Sequence, residues 1–552
     1  MAHRLYGSRW HGVLIGLLST FAGLAAAELI VGLVRGAASP VVPVGQEVID
    51  VVPPALKDLV IRWFGTADKA VLIIGTLLSL AVIGSIVGNL AIKANRSAAY
   101  AVTTVVGVIG VFAVSMRPAP TFAKMLPPIV GTIASLAVIW WLSPRDVGAA
   151  SPVAAPGVGR GGDPVVVVDD GGVHPIGASV RRRTFVQGAA SVGVLSLLVG
   201  AAGRVLKGRF EVDEERAALQ LPQPVDTLPP VDTLADATAS DVVASDVMDL
   251  GIDGVESFVV PNDRFYRIDT ALVVPQVPKD SWSLRIHGMV DTEMELTYAD
   301  LLEREMIERY VTLSCVSNQI GGDLVGNAKW QGVRMKDLLD EAGVQDGATQ
   351  VVSRSIDGWS CGSPTSVIMD GRDAMLAIAM NGEPLPAEHG YPVRLVVPGL
   401  YGYVSATKWV TDIELTRWED FDGYWVPRGW SKEGPVKTMA RIDRPRSGRG
   451  YDGGATGVVD IAGLAWAVHR GVSKVEVSID DGEWLPCELA GVPSDDTWCQ
   501  WRHQWADSTP GDHTVRARAY DGAGEIQPEE PKSVAPDGAQ GYHRVSFSID
   551  GA

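Results

Sequence analysis

Four apolar runs crowd into the first 143 residues, and they restrict what this chain can fold into more than any other feature. Ala70–Ile92 carries no charge, Ser97–Met116 is uncharged up to Arg117, and Met125–Ser143 carries the pair Trp140-Trp141 near its end. Trp10–Val34 is interrupted only by Glu28. Each run reaches the roughly 18 residues needed to cross a bilayer core, and paired tryptophans suit a membrane interface. A soluble protein that buried all four would have little polar surface left. A fifth run, Phe185–Gly203, follows after a gap. Two readings of Glu28 stay open: an intramembrane carboxylate on a proton path, or an acid near the helix end that reaches the headgroups. The second is the simpler.

Charge divides the chain at the same place. Residues 1–210 hold 18 Lys/Arg and 9 Asp/Glu, whereas residues 211–552 hold 29 and 56. A basic, apolar front is therefore joined to a back with a net charge of −27, within a whole-chain charge of −18. So acidic a globular part repels phosphate, which argues against nucleic acid as a partner. Four cysteines are too few for a disulfide scaffold.

Lys/Arg bias sets orientation. Arg4 and Arg9, then Lys93 and Arg96, then Arg145, Arg160 and Arg181–Arg183 fall on one side if the N-terminus is inside. The bias is modest, because Arg35, Lys57, Arg62, Lys69, Arg117 and Lys124 fall on the other. The fifth span would then exit, leaving everything after about Arg204 on the extracytoplasmic side of a multi-pass cell-membrane protein. Ser179-Val-Arg181-Arg182-Arg183-Thr-Phe185 resembles a twin-arginine export signal placed internally; an ordinary positive-inside cluster is the alternative. No later span contains His, and His3 and His11 form no facing pair, so no haem is expected in this chain and electrons would need an external carrier.

The expected organisation is a four-helix transmembrane region (1–143), a cytoplasmic linker with the twin-arginine-like motif (144–184), a fifth transmembrane helix (185–206) and an acidic Pro-rich linker (207–250). An α+β domain (251–427) and an all-β domain (428–552) follow. In the α+β part, Trp282–Gly288 alternates as a strand, Thr297-x-x-Asp300 starts a helix, Met335–Ala342 is an amphipathic helix, and Val393–Pro398 is a buried strand. Val311-Thr-Leu-Ser-Cys315 is a strand that delivers a cysteine to a Gly-rich turn. A thiolate there can be a nucleophile or a soft-metal ligand, and inert packing is the plain alternative. No nearby His supports a Cys–His dyad, and no CxxC pair supports zinc or iron–sulfur.

Several separated segments together resemble the sulfite oxidase family of molybdopterin enzymes. They are Pro261-Asn262-Asp-Arg-Phe265-Tyr266-Arg267; Cys315-x-x-Asn318 with Gly326-Asn327-Ala328-Lys329-Trp330-x-Gly332-Val333; Met380-Asn381-Gly382 through His389-Gly390 to Arg394; and Val397-Pro398-Gly399 running to Lys408-Trp409. The resemblance implies one molybdenum per chain, held by a pterin dithiolene, with Cys315 as the protein's metal ligand and catalytic centre. By the same resemblance Asn262, Tyr266, Arg267, Asn318, Asp357, His389, Arg394, Ser405, Thr407 and Lys408 would contact the cofactor. Cys361 is a rival thiol that falls in no ligand motif of the family.

The departures bear on substrate. An arginine that the family places five residues after the ligand cysteine is Ile320 here, and the Arg-Asn-His after the first motif is replaced by Arg267-Ile268-Asp269-Thr270. The substrate expectation is thus a small oxo-anion or a sulfoxide-type compound, and a reductase of oxidised sulfur or nitrogen compounds is the alternative on the same fold. A non-catalytic binding or assembly module is the alternative of another class, and the presence of Cys315 speaks against it.

After residue 428, short strands recur. Val472–Trp484 reads as a hairpin turning at Asp481-Gly482, and Trp498–Trp505 and Gly511–Gly524 supply more strands. Their spacing predicts an immunoglobulin-like sandwich, which in the resembled family mediates dimerisation. Cys487 and Cys499 are expected on neighbouring strands, either paired or as separate thiols.

Overall fold

The computed structural model of the chain describes residues 9–52, 63, 68–93, 95–117, 120–143, 176–226, 228, 231, 244–448, 450–451, 458–506 and 508–549. The chain divides into two compact units, Met1–Glu211 and Val212–Ala552.

The first unit is helical: α1 (Arg9–Leu33), α2 (Val41–Val51), α3 (Asp68–Ile92), α4 (Arg96–Ser115), α5 (Phe122–Leu142) and α6 (Ile176–Gly208). All but α2 are long and apolar enough to cross a membrane, by length and composition. Side chains cap two of the starts. Asn95 accepts from the Ala98 N–H and Thr121 from the Lys124 N–H, each at 3.3 Å. Glycines press α1 against its neighbours: a Cβ on Gly16 would overlap the Gly84 carbonyl, one on Gly23 would meet Gly131 O at 2.8 Å, and one on Gly32 would overlap Gly203 O. Small residues are what let apolar helices approach closely where no hydrophobic force drives them together. The outward faces stay apolar, with Leu78, Val82 and Ile86 on α3 and Val105, Val108 and Phe112 on α4 all more than half exposed. The short α2 is an addition to the sequence reading. Residues 144–175 of the segment expected as a cytoplasmic linker lie outside the described residues, and α6 begins nine residues before Phe185, so 181–183 are helical in backbone.

In the second unit α7 (Asp213–Ala218) precedes two sheets. The first has the order β2-β1-β10-β5-β6, from β1 (Ser283–Gly288), β2 (Met294–Thr297), β5 (Gln350–Ser355), β6 (Ser360–Pro364) and β10 (Val410–Thr416). The second has the order β3-β4-β7-β8, from β3 (Ile307–Ser314), β4 (Val325–Arg334), β7 (Met375–Met380) and β8 (Glu383–Pro384), with β9 (Arg394–Val396) pairing β7. Three short helices join them: α8 (Tyr298–Leu302), α9 (Met335–Ala342) and α10 (Thr365–Met369). Thr297 and Asp300 form a reciprocal capping box at the start of α8.

Among the described residues nine further strands make two more sheets, β11-β13-β17-β16 and β12-β19-β18-β14-β15. They are β11 (Met439–Arg444), β12 (Gly450–Tyr451), β13 (Val459–Trp466), β14 (Val472–Ile479), β15 (Trp484–Pro486), β16 (Glu488–Leu489), β17 (Cys499–Trp505), β18 (Gly511–Asp521) and β19 (His543–Ile549). Ile461 and Trp501 from one sheet share a core with Val475, Val477, Val515 and Ala517 from the other. The hairpin turn between β14 and β15 falls one residue earlier than read, because the left-handed residues are Asp480 (φ 50°) and Asp481 (φ 57°). All four cysteines are free; the Cys499 thiol bonds the carbonyls of Ala490 and Gln500 at 3.2 Å each rather than Cys487.

Two boundaries look different in three dimensions. Trp466, Val468 and Trp498 belong to the same buried core as the α+β region, and the Trp498 indole donates to Phe258 O at 2.9 Å. The segment read as an acidic linker (207–250) is partly packed: Val212 is in that core, Arg216 Nε donates to Leu385 O at 2.7 Å, and Gln331 Nε2 donates to Pro222 O at 2.7 Å. Main-chain carbonyls accept the last two of these contacts, so no apolar periodicity marks them in the sequence.

Candidate active site

β3 runs buried to Ser314 and hands Cys315 to a loop closed by its own backbone. Cys315 N–H donates to Leu324 O at 2.9 Å, Asn318 N–H donates to Cys315 O at 3.0 Å, and Leu324 N–H donates to Asn318 Oδ1 at 3.0 Å. Asn318 is thus the clasp of the cysteine loop. Gly321 turns it with φ +74°, a conformation that favours glycine. Burial raises the Cys315 thiol pKa, while hydrogen bonds from the Ser317 backbone and hydroxyl pull it back.

Cys315 lines a cleft on this side of the domain. Tyr266, Asp357, His389, Arg394 and Lys408 line it too. These side chains come from separate loops, and small residues make the convergence possible. Gly390 has φ +114°, and a Cβ there would press on Arg394 Cβ at 3.0 Å and Lys408 Cβ at 3.1 Å. Gly326 leaves room for the Phe265 ring, which a Cβ would meet at 2.8 Å. Phe265 in turn stacks on Tyr266 and meets Trp330 and His389 edge-on.

Arg394 is the most telling group in the cleft. It is 5% exposed, its Nη1 donates to His389 O at 3.1 Å, and its guanidinium lies 4.8 Å over the Trp330 ring. Its Nε has no hydrogen-bond partner, and burial lowers its pKa to about 10. A buried guanidinium with an unused donor suits an anionic group supplied by a ligand. His389 Nε2 lies 3.1 Å from Asn262 O; a carbonyl only accepts, so Nε2 carries the proton. Burial, then the charges of Arg394 and Lys408, push its pKa down to about 3, which keeps the ring neutral. Lys408 Nζ donates to Asp269 Oδ2 at 2.9 Å and Glu388 O at 3.0 Å, and burial lowers its pKa to about 8. Burial raises the Asp357 pKa and moves the Tyr266 phenol far upward.

The other residues named from the sequence stand behind or beside the cleft. Asn262 Oδ1 accepts from Asn381 Nδ2 at 2.8 Å, and its carbonyl orients His389. Arg267 Nε donates to Asp269 Oδ2 at 2.8 Å. Ser405 Oγ donates to Tyr401 O at 3.0 Å. Thr407 Oγ1 lies 2.6 Å from Ser353 Oγ and 3.3 Å from Cys361 Sγ, in a fully buried cluster. Cys361 lies in that cluster and not on the cleft wall, and burial pushes its thiol up to about 11. Ile320 packs on the core and does not line the cleft.

Sequence reading passed over Asp269 as a group of the site, along with Trp359, Trp425 and Trp430, which complete the wall. Asp269 was visible only as part of a departure from a motif, since its partner Lys408 is 139 residues away. Among the described residues no group of three or more His, Cys, Asp or Glu could hold a metal. A metal beside Cys315 would take most of its ligands from another molecule.

Known proteins give this geometry a class. Residues 271–425 match the family model for the oxidoreductase molybdopterin binding domain. Over 153 residues the chain is 36% identical to the uncharacterized oxidoreductase YuiH of Bacillus subtilis, covering 28% of this chain and 74% of that protein. It is 28% identical over 347 residues to mitochondrial sulfite oxidase of Drosophila melanogaster, covering 53% of this chain and 60% of that protein's length. The sulfane dehydrogenase SoxCD of Paracoccus pantotrophus aligns with a TM-score of 0.44 at 24% identity, over 50% of this chain and 75% of that one. Residues 271–425 are thus a molybdopterin oxidoreductase domain, and the chain is an enzyme of that class. It belongs to the molybdopterin-binding oxidoreductases of the sulfite oxidase family.

Proposed function

We propose that this chain is a membrane-anchored oxidoreductase that transfers an oxygen atom at a mononuclear molybdenum, with its catalytic half on the extracytoplasmic side. The observation that carries the chemistry is the pairing, in one cleft, of the Cys315 thiol with a buried Arg394 whose Nε is unused. A molybdenum–pterin group supplies two-electron oxygen-atom chemistry when bound. Arg394 and the neutral His389 would hold its anionic tail, Cys315 would bind the metal as a soft thiolate, and Tyr266, Asp357 and Lys408 would line its bed. Asn262, Asn318, Ser405 and Thr407 would act one layer back, fixing the histidine, the cysteine loop and the last contacting loop.

Five long apolar helices, with apolar outward faces and glycine contacts within, support the membrane anchor. Lys/Arg bias supports the orientation, and an external carrier would take or give the electrons. The two C-terminal sheets around one core suit an immunoglobulin-like module that could join two copies. Sulfite is the substrate named for several relatives. A reductase acting on an oxidised sulfur or nitrogen compound is the second reading, favoured by Ile320 and by Arg267-Ile268-Asp269-Thr270 where the resembled family has an arginine and an Arg-Asn-His.

The test is metal and pterin analysis of the full-length chain purified in detergent. About one molybdenum and one pterin per chain are expected, and their absence sinks the enzyme reading. A reporter fused after Ala552 should read as extracytoplasmic; a cytoplasmic signal overturns the topology.

A further inference from the structure

The segment Pro384–Tyr391 carries His389 and leads into Arg394, yet it has little regular structure: the end of β8 and one 3-10 turn at Ala387–His389. Its carbonyls need donors, and side chains supply them. Trp409 Nε1 donates to Ala387 O at 2.8 Å, Lys408 Nζ to Glu388 O at 3.0 Å, and Arg394 Nη1 to His389 O at 3.1 Å. Those three donors belong to the cleft wall. The two carbonyls at the head of the segment are held from α7. Arg216 donates through Nε to Leu385 O at 2.7 Å and through Nη2 to Pro384 O at 3.3 Å. Its neighbour Glu215 holds the other end: Oε1 accepts from the Tyr391 hydroxyl at 2.7 Å and from the Lys279 N–H at 2.8 Å. Successive residues of a helix diverge by about 100°, so one turn of α7 reaches both ends. The helix is itself fixed, because Val212 is buried in the core, its N–H donates to Gln276 Oε1 at 3.1 Å, and Asp213 pairs with Arg216 at 3.1 Å. Leu385 and Tyr391, the two points gripped, are fully buried. Neither Glu215 nor Arg216 lines the cleft.

We infer that Glu215 and Arg216 are positioning residues: α7 clamps both ends of the segment that carries His389 and so slows release of the pterin group held there. The inference rests on the proposed molybdenum–pterin site and adds the device that keeps that site closed. With either end freed, the segment gains conformations in which His389 and Arg394 no longer aim together, and the ligand leaves faster. α7 falls in the stretch expected as a linker, so that stretch would serve cofactor retention as well as tethering.

The test follows pterin release from the full-length chain in detergent, by fluorescence of the protein-free fraction over time, well below the unfolding midpoint. Arg216→Met removes the bonds at the head of the segment and Glu215→Leu the bond at its tail. Each should release pterin at least about tenfold faster than the native chain, the equivalent of one charge-assisted hydrogen bond. Glu215→Gln keeps an acceptor for Tyr391 and Lys279 and should stay within about threefold of the native rate. Ile286→Ala, a fully buried position on β1 that makes none of these bonds, supplies the comparison: it should lower the unfolding midpoint yet release pterin at the native rate. A native release rate in either Arg216→Met or Glu215→Leu overturns the inference. So does release from Ile286→Ala as fast as from those two, since general loosening would then account for all three. If Arg216→Met and Glu215→Leu fail to fold, Tyr391→Phe decides, because it keeps the ring and loses only the hydroxyl. Its release should be at least about threefold faster than native, and a native rate overturns the inference. A native chain that holds pterin while the variants release it no faster leaves the proposed enzyme standing; a native chain without pterin removes both.

Discussion

The ammonium of Lys408 and the carboxylate of Asp269 meet at 2.9 Å with both side chains more than nine-tenths buried, although 139 residues separate them in sequence. Two charges removed from water tolerate each other's company far better than either tolerates isolation. Replacing Asp269 by Asn, or Lys408 by Met, should each destabilise the protein by about 3 kcal/mol. The double replacement should cost less than the two single changes added together. Thermal unfolding of the four proteins in one detergent checks this, and simple additivity would contradict the pairing.

His389 makes the fold sensitive to acid. Its pKa is held near 3 in the folded protein, against 6.5 for an unperturbed ring. The unfolded chain therefore binds a proton first as pH falls, and each step below about 6.5 favours unfolding until the folded ring also protonates near 3. Between pH 7.5 and 5 the loss from this one group is about 2 kcal/mol. The unfolding midpoint of His389→Gln should fall less over that interval than the native one. Parallel curves would contradict a buried neutral ring.

Gly390 is predicted to be intolerant of any side chain. Its φ of +114° disfavours a Cβ, and that atom would crowd both Arg394 and Lys408. Gly390→Ala should lower stability by about 1–3 kcal/mol and reduce bound pterin, measured by fluorescence after acid release. Full pterin content with a native unfolding midpoint would contradict the cradle.

The two buried thiols of the catalytic region should behave differently. Cys361 bonds Ser353 and Thr407 at 3.2 and 3.3 Å and lies off the cleft wall. Cys361→Ser should retain molybdenum, at a modest cost in stability. Loss of metal from Cys361→Ser with retention in Cys315→Ser would exchange their roles.

Much of this was legible in the sequence wherever the signal is local. The five apolar helices, the Thr297–Asp300 capping box, and the delivery of Cys315 by a buried strand follow from periodicity and from residue type at short range. The hairpin near Asp481 was also visible, displaced by one residue because Asp480 and Asp481, and not Gly482, take the left-handed conformation. What was hidden depends on partners distant in sequence. Pro222 and Val225 pack through main-chain groups that no side-chain pattern reports. Ser405 and Thr407 stand in the motif loop yet turn into buried networks behind the cleft. Trp425 and Trp430 reach the cleft from a segment with no motif of its own.

X-ray absorption at the molybdenum edge tests the central claim most directly. The claim is that Cys315 is the protein's ligand to the metal. The native full-length chain should show three sulfur scatterers, two from the pterin dithiolene and one from Cys315, and Cys315→Ser should show two. Three sulfurs retained in Cys315→Ser, or a native chain with no molybdenum to measure, would contradict the account.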